Sequence, residues 1–144
     1  MNLIIGVGNT LRNDDGIGAY IVGQIDAIQW PGVATQITQQ LHLEVLEDFL
    51  AYEKIIIVDA SYKAGADYDL QKVNISQTPV LSSSHHVSLQ LLCMLAKNIY
   101  QHDINLFLCA IKGRNFEIGE ILSAEVLACV PNILELISRE IGDH

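Results

Sequence analysis

The chain has 144 residues, half of them hydrophobic, and a formal net charge of −9 from seventeen acidic and eight basic side chains. That length and apolar content predict a single domain over 1–144 with a core that needs no disulfide staple. Cations so few and so scattered argue against a nucleic-acid partner, whose phosphates are neutralised by Lys and Arg.

The first apolar run, LIIGVG (3–8), ends in glycines and suits a buried parallel strand. A polar loop, NTLRNDD, leads into IGAYIVGQIDAI (17–28), whose apolar residues recur at helical spacing until Trp30, Pro31 and Gly32 stop the helix. VATQIT (33–38) alternates as a second strand should, and a helix is expected near 43–51. KIIIVDA (54–60) is the strongest strand pattern in the chain, with the polar Asp59 at its carboxyl edge. DLQKVNI (69–75) is a weaker strand, expected to pair antiparallel. After SQTPVLSSS, a helix is expected from His85 to about Tyr100, and NLFLCAI (105–111) follows as another buried strand. The last helix spans 123–141, with Ser123 as its N-cap and Glu125 as a first-turn acid. This order predicts an α/β three-layer sandwich: a twisted, mostly parallel sheet with one antiparallel strand and helices on both faces.

Cys93, Cys109 and Cys129 lie in apolar runs and form no CxxC pair, so buried free thiols are expected rather than disulfides or a structural zinc. No apolar stretch reaches the roughly 20 residues that a bilayer span requires. Met1 runs straight into an apolar strand with no basic flank, so no secretory signal is read and a cytoplasmic location is expected.

In open α/β sheets, ligands bind beyond the carboxyl ends of the strands, near the point where the strand order reverses. That rule selects three places here: the loop GVGNTLRNDDGIG (6–18), Asp59 with Ser61, and SSSHH (82–86). Together Asp14, Asp15, Asp59, His85 and His86 offer carboxylate oxygens and imidazole nitrogens. Such a set can hold a divalent first-row metal or perform general acid–base work. Each residue also has a plainer reading. Gly6, Gly8, Gly16 and Gly18 serve a tight strand-to-helix turn, Asn9 braces the loop through its amide, and Asp14 caps the helix that follows. Asp15 could be a first-turn acid and Asp59 a loop brace, while His42, His86, His102 and His144 are expected to be structural or solvated.

Other nucleotide and hydrolase motifs fail. The dinucleotide fingerprint needs glycine at position 11, where Leu11 stands, and an acid after the second strand, where the sequence is QITQQ. Neither GK[ST] nor GxSxG occurs, which removes a Walker loop and an α/β-hydrolase elbow.

GVGNTLRNDDGIG resembles GxGNxLxxDDGxG, the opening signature of the nickel–iron hydrogenase maturation proteases. The family's other marks follow in order: a strand ending in Asp (IIIVDAS, 55–61), a Ser/His segment (SSSHHVSL, 82–89), and FEIGEILSAEV (116–126), similar to a GExLSxEV-like stretch. The resemblance implies an endopeptidase that removes the C-terminal extension of a hydrogenase large-subunit precursor after nickel insertion. It further implies that Asp15, Asp59 and His85 form the site, as metal ligands and catalytic residues, reading nickel delivered with the substrate. Many relatives carry Glu where Asp15 stands here, and His85 is preferred to His86 because its spacing to Leu89 matches the family. Gln40, Leu41 and Glu44 resemble a QL-x-x-E pattern of members that serve bidirectional, NAD-linked hydrogenases. The competing readings are a metal- or ligand-binding module of the same fold without peptidase activity, and a nucleotide-dependent enzyme. The sequence carries no signal for oligomeric state.

Overall fold

A computed structural model describes residues 1–62, 65–75 and 88–142. Five strands form one sheet: β1 (Asn2–Val7), β2 (Val33–Thr38), β3 (Ile55–Ser61), β4 (Tyr68–Lys72) and β5 (Leu106–Lys112). Their order is β2-β1-β3-β5-β4, with β1, β2, β3 and β5 parallel and β4 antiparallel on β5. The helices are α1 (Ile17–Ile28), α2 (Val45–Phe49), α3 (Leu89–Tyr100) and α4 (Ala124–Ile141), and a 3-10 turn over Asn13–Gly16 precedes α1.

The central strands are apolar without interruption because both of their faces are covered. Every residue of β3 is buried. Alternate side chains feed two separate cores, as the two-residue period of a strand requires. Leu3, Ile5, Ile55, Ile57, Leu106 and Leu108 pack with Phe49 of α2 and Leu92 of α3 on one face. Ile4, Ile56, Val58 and Cys109 pack with Ile21 and Ile25 of α1 and Ile133 and Ile137 of α4 on the other. This is the three-layer, mostly parallel architecture expected from the sequence.

Three boundaries differ from expectation. Helix α2 is five residues long because its flanks tighten into i→i+3 bonds, from Val45 N–H to the His42 carbonyl and from Tyr52 N–H to the Phe49 carbonyl. Strand β4 ends at Lys72 rather than at residue 75. Helix α3 starts at Leu89 instead of His85, because Ser88 is extended and its hydroxyl caps the helix by accepting the Leu91 N–H at 3.3 Å. Among the described residues no helix is long and apolar enough to cross a membrane.

The strand order sets where a site can form. Strands β1 and β3 are neighbours, yet the helix after β1 lies on the α1/α4 face and the next helix after β3, α3, lies on the other. Connections diverging from adjacent parallel strands leave a crevice at their carboxyl ends.

Candidate active site

The loop after β1 is held tightly against this crevice. Gly8 has φ 144°, and a Cβ there would run into the main-chain carbonyl of Asp15. Gly18, at the start of α1, is pressed onto β3 so closely that a Cβ would meet the Val58 carbonyl. Only glycine permits both approaches. Between them, the side-chain oxygen of Asn9 accepts the Leu11 N–H at 2.9 Å, so Asn9 does brace the loop through its amide group.

Asp15 sits in the 3-10 turn and is 1% exposed. Its Oδ2 accepts the Asn9 N–H at 2.8 Å, which ties the acid back to the first residues after β1. Asp59 lies two residues before the end of β3, is fully buried, and accepts the N–H of Ala60 at 2.8 Å through Oδ1. Because Gly6 pairs with Val58, Asp59 lies one step further on, level with the start of the loop that carries Asp15. Asp15 thus stands in the turn that follows β1, and Asp59 near the carboxyl end of the adjacent parallel strand β3. Two carboxylates there match the hard half of a donor set for a divalent first-row ion, which an imidazole would complete. His85 and His86, with the rest of SSSHH, lie outside the described residues. Among the described residues no three His, Cys, Asp or Glu side chains group to hold a metal.

Asp14 has another job. It is fully buried, but Gly16 occupies the N-cap position of α1, so Asp14 is not the cap expected of it. Its carboxylate instead reaches across the fold to the segment between β5 and α4. Oδ2 accepts the Arg114 N–H at 2.7 Å, the Asn115 N–H at 3.0 Å and the Ser123 hydroxyl at 2.9 Å, while Oδ1 accepts the Ser123 N–H at 2.7 Å. Burial pushes its pKa up, but these donors outweigh burial and hold it below the ordinary value of 3.8. Ser123 does stand at the extended N-cap position of α4, yet its hydroxyl serves Asp14 rather than the helix. Around this link, Asn13 N–H donates to the Gly119 carbonyl, Gly119 N–H to the Leu11 carbonyl, and Ile121 N–H to Oδ1 of Asn13. The Asp14–Ser123 partnership was missed in the sequence although both residues belong to recognised stretches. Nothing local signals a contact across 109 positions.

The thiols follow expectation in part. All three are free, with Cys93 and Cys109 buried, but Cys129 is only half-buried, its Sγ turned toward the Glu125 carbonyl.

A doubly wound sheet with two buried acids near its switch point defines an α/β protein with a candidate carboxylate site. The same fold is found in hydrogenase maturation endopeptidases. The maturating endopeptidase HybD of Escherichia coli superposes with a TM-score of 0.73 at 23% identity, over 98% of this chain and 93% of that one. The hydrogenase 2 maturation peptidase of a Thaumarchaeota archaeon gives 0.72 at 23% identity, over 98% and 97%. The maturation protease HybD of Thermococcus kodakarensis gives 0.66 at 21%, over 99% of both chains. In sequence, the chain is 29% identical over 157 aligned positions to a Methanocaldococcus jannaschii protein provisionally assigned as a hydrogenase maturation protease, covering 96% of this chain and 95% of that protein. No protein-family model matches the chain. The resemblance to hydrogenase maturation proteases thus extends over nearly the whole chain in sequence and in fold.

Proposed function

We propose that this protein is an endopeptidase that removes the C-terminal extension of a nickel–iron hydrogenase large-subunit precursor after nickel insertion. The observation that carries the reading is the burial of Asp15 and Asp59 at the β1/β3 switch point, within a fold shared with maturation endopeptidases. Nickel is here part of the substrate. Asp15, Asp59 and His85 are its readers, two oxygen donors and one imidazole nitrogen for a divalent first-row ion. The arriving ion then supplies the chemistry that side chains alone lack, polarising the scissile carbonyl or activating a water. Either acid, placed close to the cut bond, can accept the proton that the attacking water gives up. The whole chain acts as one unit in the cytoplasm.

The test is cleavage of candidate precursors with and without inserted nickel, followed by mass spectrometry of the released tail. Cleavage confined to the nickel-loaded precursor is the expected result. Binding of the loaded precursor with no release of a tail would instead favour a recognition module without peptidase activity.

A further inference from the structure

The stretch FEIGEILSAEV stands beside the candidate site and takes no part in the chemistry proposed for it. Its form suggests a use. Ile118 is 93% exposed and Ile121 is 77% exposed, and Leu11, on the loop that carries Asp15, is 57% exposed. The main-chain bonds from Gly119 N–H to the Leu11 carbonyl and from Asn13 N–H to the Gly119 carbonyl set the two segments side by side, and Arg12 bridges to Gly119. Three large exposed aliphatic side chains on two paired segments are a costly surface for a chain to leave in water.

This surface is also fixed in advance. Ile121 N–H is held by Asn13, Glu117 N–H by Oδ1 of Asn115 at 2.9 Å, and Asn115 and Ser123 by the buried carboxylate of Asp14. The segment is anchored at both ends by one internal charge, and its Phe116 and Leu122 pack on the core beneath it. A rigid apolar surface binds with little loss of conformational entropy. Two exposed carboxylates, Glu117 and Glu120, flank the isoleucines, so the surface favours a partner whose apolar contact is bordered by Lys or Arg.

We infer that Leu11, Ile118 and Ile121 form a preorganised docking ridge, with Glu117 and Glu120 as its acidic border, for an apolar, basic-bordered patch on the protein substrate. The inference rests on the proposed maturation activity. It adds that the precursor is gripped beside the cut site as well as through its nickel. Asp14 then acts as a positioning residue: it holds the ridge while its neighbour Asp15 faces the chemistry.

The experiment uses the full chain and nickel-loaded precursor, with initial rates measured against precursor concentration. The ridge variant Ile118→Ser/Ile121→Ser should raise KM about tenfold or more while leaving kcat within about twofold, since both side chains are solvent-exposed and remote from folding contacts. The charge-reversed Glu117→Lys/Glu120→Lys should also raise KM, and its KM should respond less to added salt than that of the wild type. A KM within twofold of wild type for both variants overturns the ridge while leaving the activity standing. A wild-type protein that fails to cut any loaded precursor overturns the activity and the ridge together. Sedimentation showing a wild-type dimer that the isoleucine variant dissociates, with KM unchanged, makes the ridge a self-contact and overturns the proposal.

Discussion

Replacing Asp14 by asparagine tests whether the first acid of the pair is a structural clamp. The carboxylate offers two oxygens to four donors, three on Oδ2 and one on Oδ1. An asparagine offers one oxygen and one NH2 group, so the best orientation keeps the three donors of Oδ2 and turns an NH2 toward the Ser123 N–H. One charge-assisted bond is lost, at about 1.5–3 kcal/mol, and the other three fall to neutral strength, at about 0.5–1.5 kcal/mol each. Relief from burying a charge offsets part of this, leaving a net loss of about 2–3 kcal/mol. Urea denaturation at pH 7 measures it. The pH dependence supplies a second reading. The folded carboxyl is held below its ordinary 3.8, so its stabilisation is full above that value and fades as pH falls below it. The asparagine has no such titration, so the gap between the two proteins should be widest at neutral pH and narrow below about pH 4. A variant within about 0.5 kcal/mol of wild type at pH 7, or a gap that stays constant down to pH 3.5, would refute the clamp.

Other consequences follow from the same geometry. Gly18→Ala drives a Cβ into the Val58 carbonyl and should cost about 2–4 kcal/mol, seen as a lower melting temperature; an unchanged melt would mean that α1 and β3 are not in contact there. Asp15→Asn and Asp59→Asn should each slow precursor cleavage by about 10²–10⁴-fold with the circular dichroism of the wild type, and near-normal turnover in either removes that residue from the site. Burial, with some help from the charge of Asp69, pushes the Cys109 thiol up to about 12, so at pH 8 a thiol reagent should modify half-buried Cys129 first and leave Cys109 intact until the protein unfolds. Prompt labelling of Cys109 in the native protein would contradict its packing between β5 and its neighbours.

The strands and long helices were legible because their signal is periodic. Uninterrupted β-branched runs such as IIIV mark strands buried on both faces, and the 3.6-residue spacing of Ile17, Ile21 and Ile25 marks α1. Elements held by a few local bonds were read less well. Helix α2 is barely more than one turn, and β4 lies at the sheet edge, where only one neighbour fixes its length. The start of α3, expected at His85, is set by Ser88, whose hydroxyl accepts the Leu91 N–H, a local bond that apolar spacing does not report.

The sequence separates the two adjacent acids, Asp15 for the candidate site and Asp14 for a helix cap, but it does not show what Asp14 holds. Asp14 and Asp15 are adjacent, chemically identical and almost equally buried, so composition alone does not tell them apart; only the resemblance does. What separates them is a turn of backbone. The 3-10 turn over Asn13–Gly16 sends consecutive side chains to different neighbours, Asp15 back toward Asn9 and Asp14 out to Ser123. A helix beginning two residues earlier would have left Asp14 as an ordinary cap with no reach to α4. The same turn also explains why the loop signature and the later Leu-Ser-x-Glu stretch occur in one chain: the buried charge of the first has its donors in the second. Each therefore constrains the other, and a substitution at Ser123 should disturb the placement of Asp15 through Asp14.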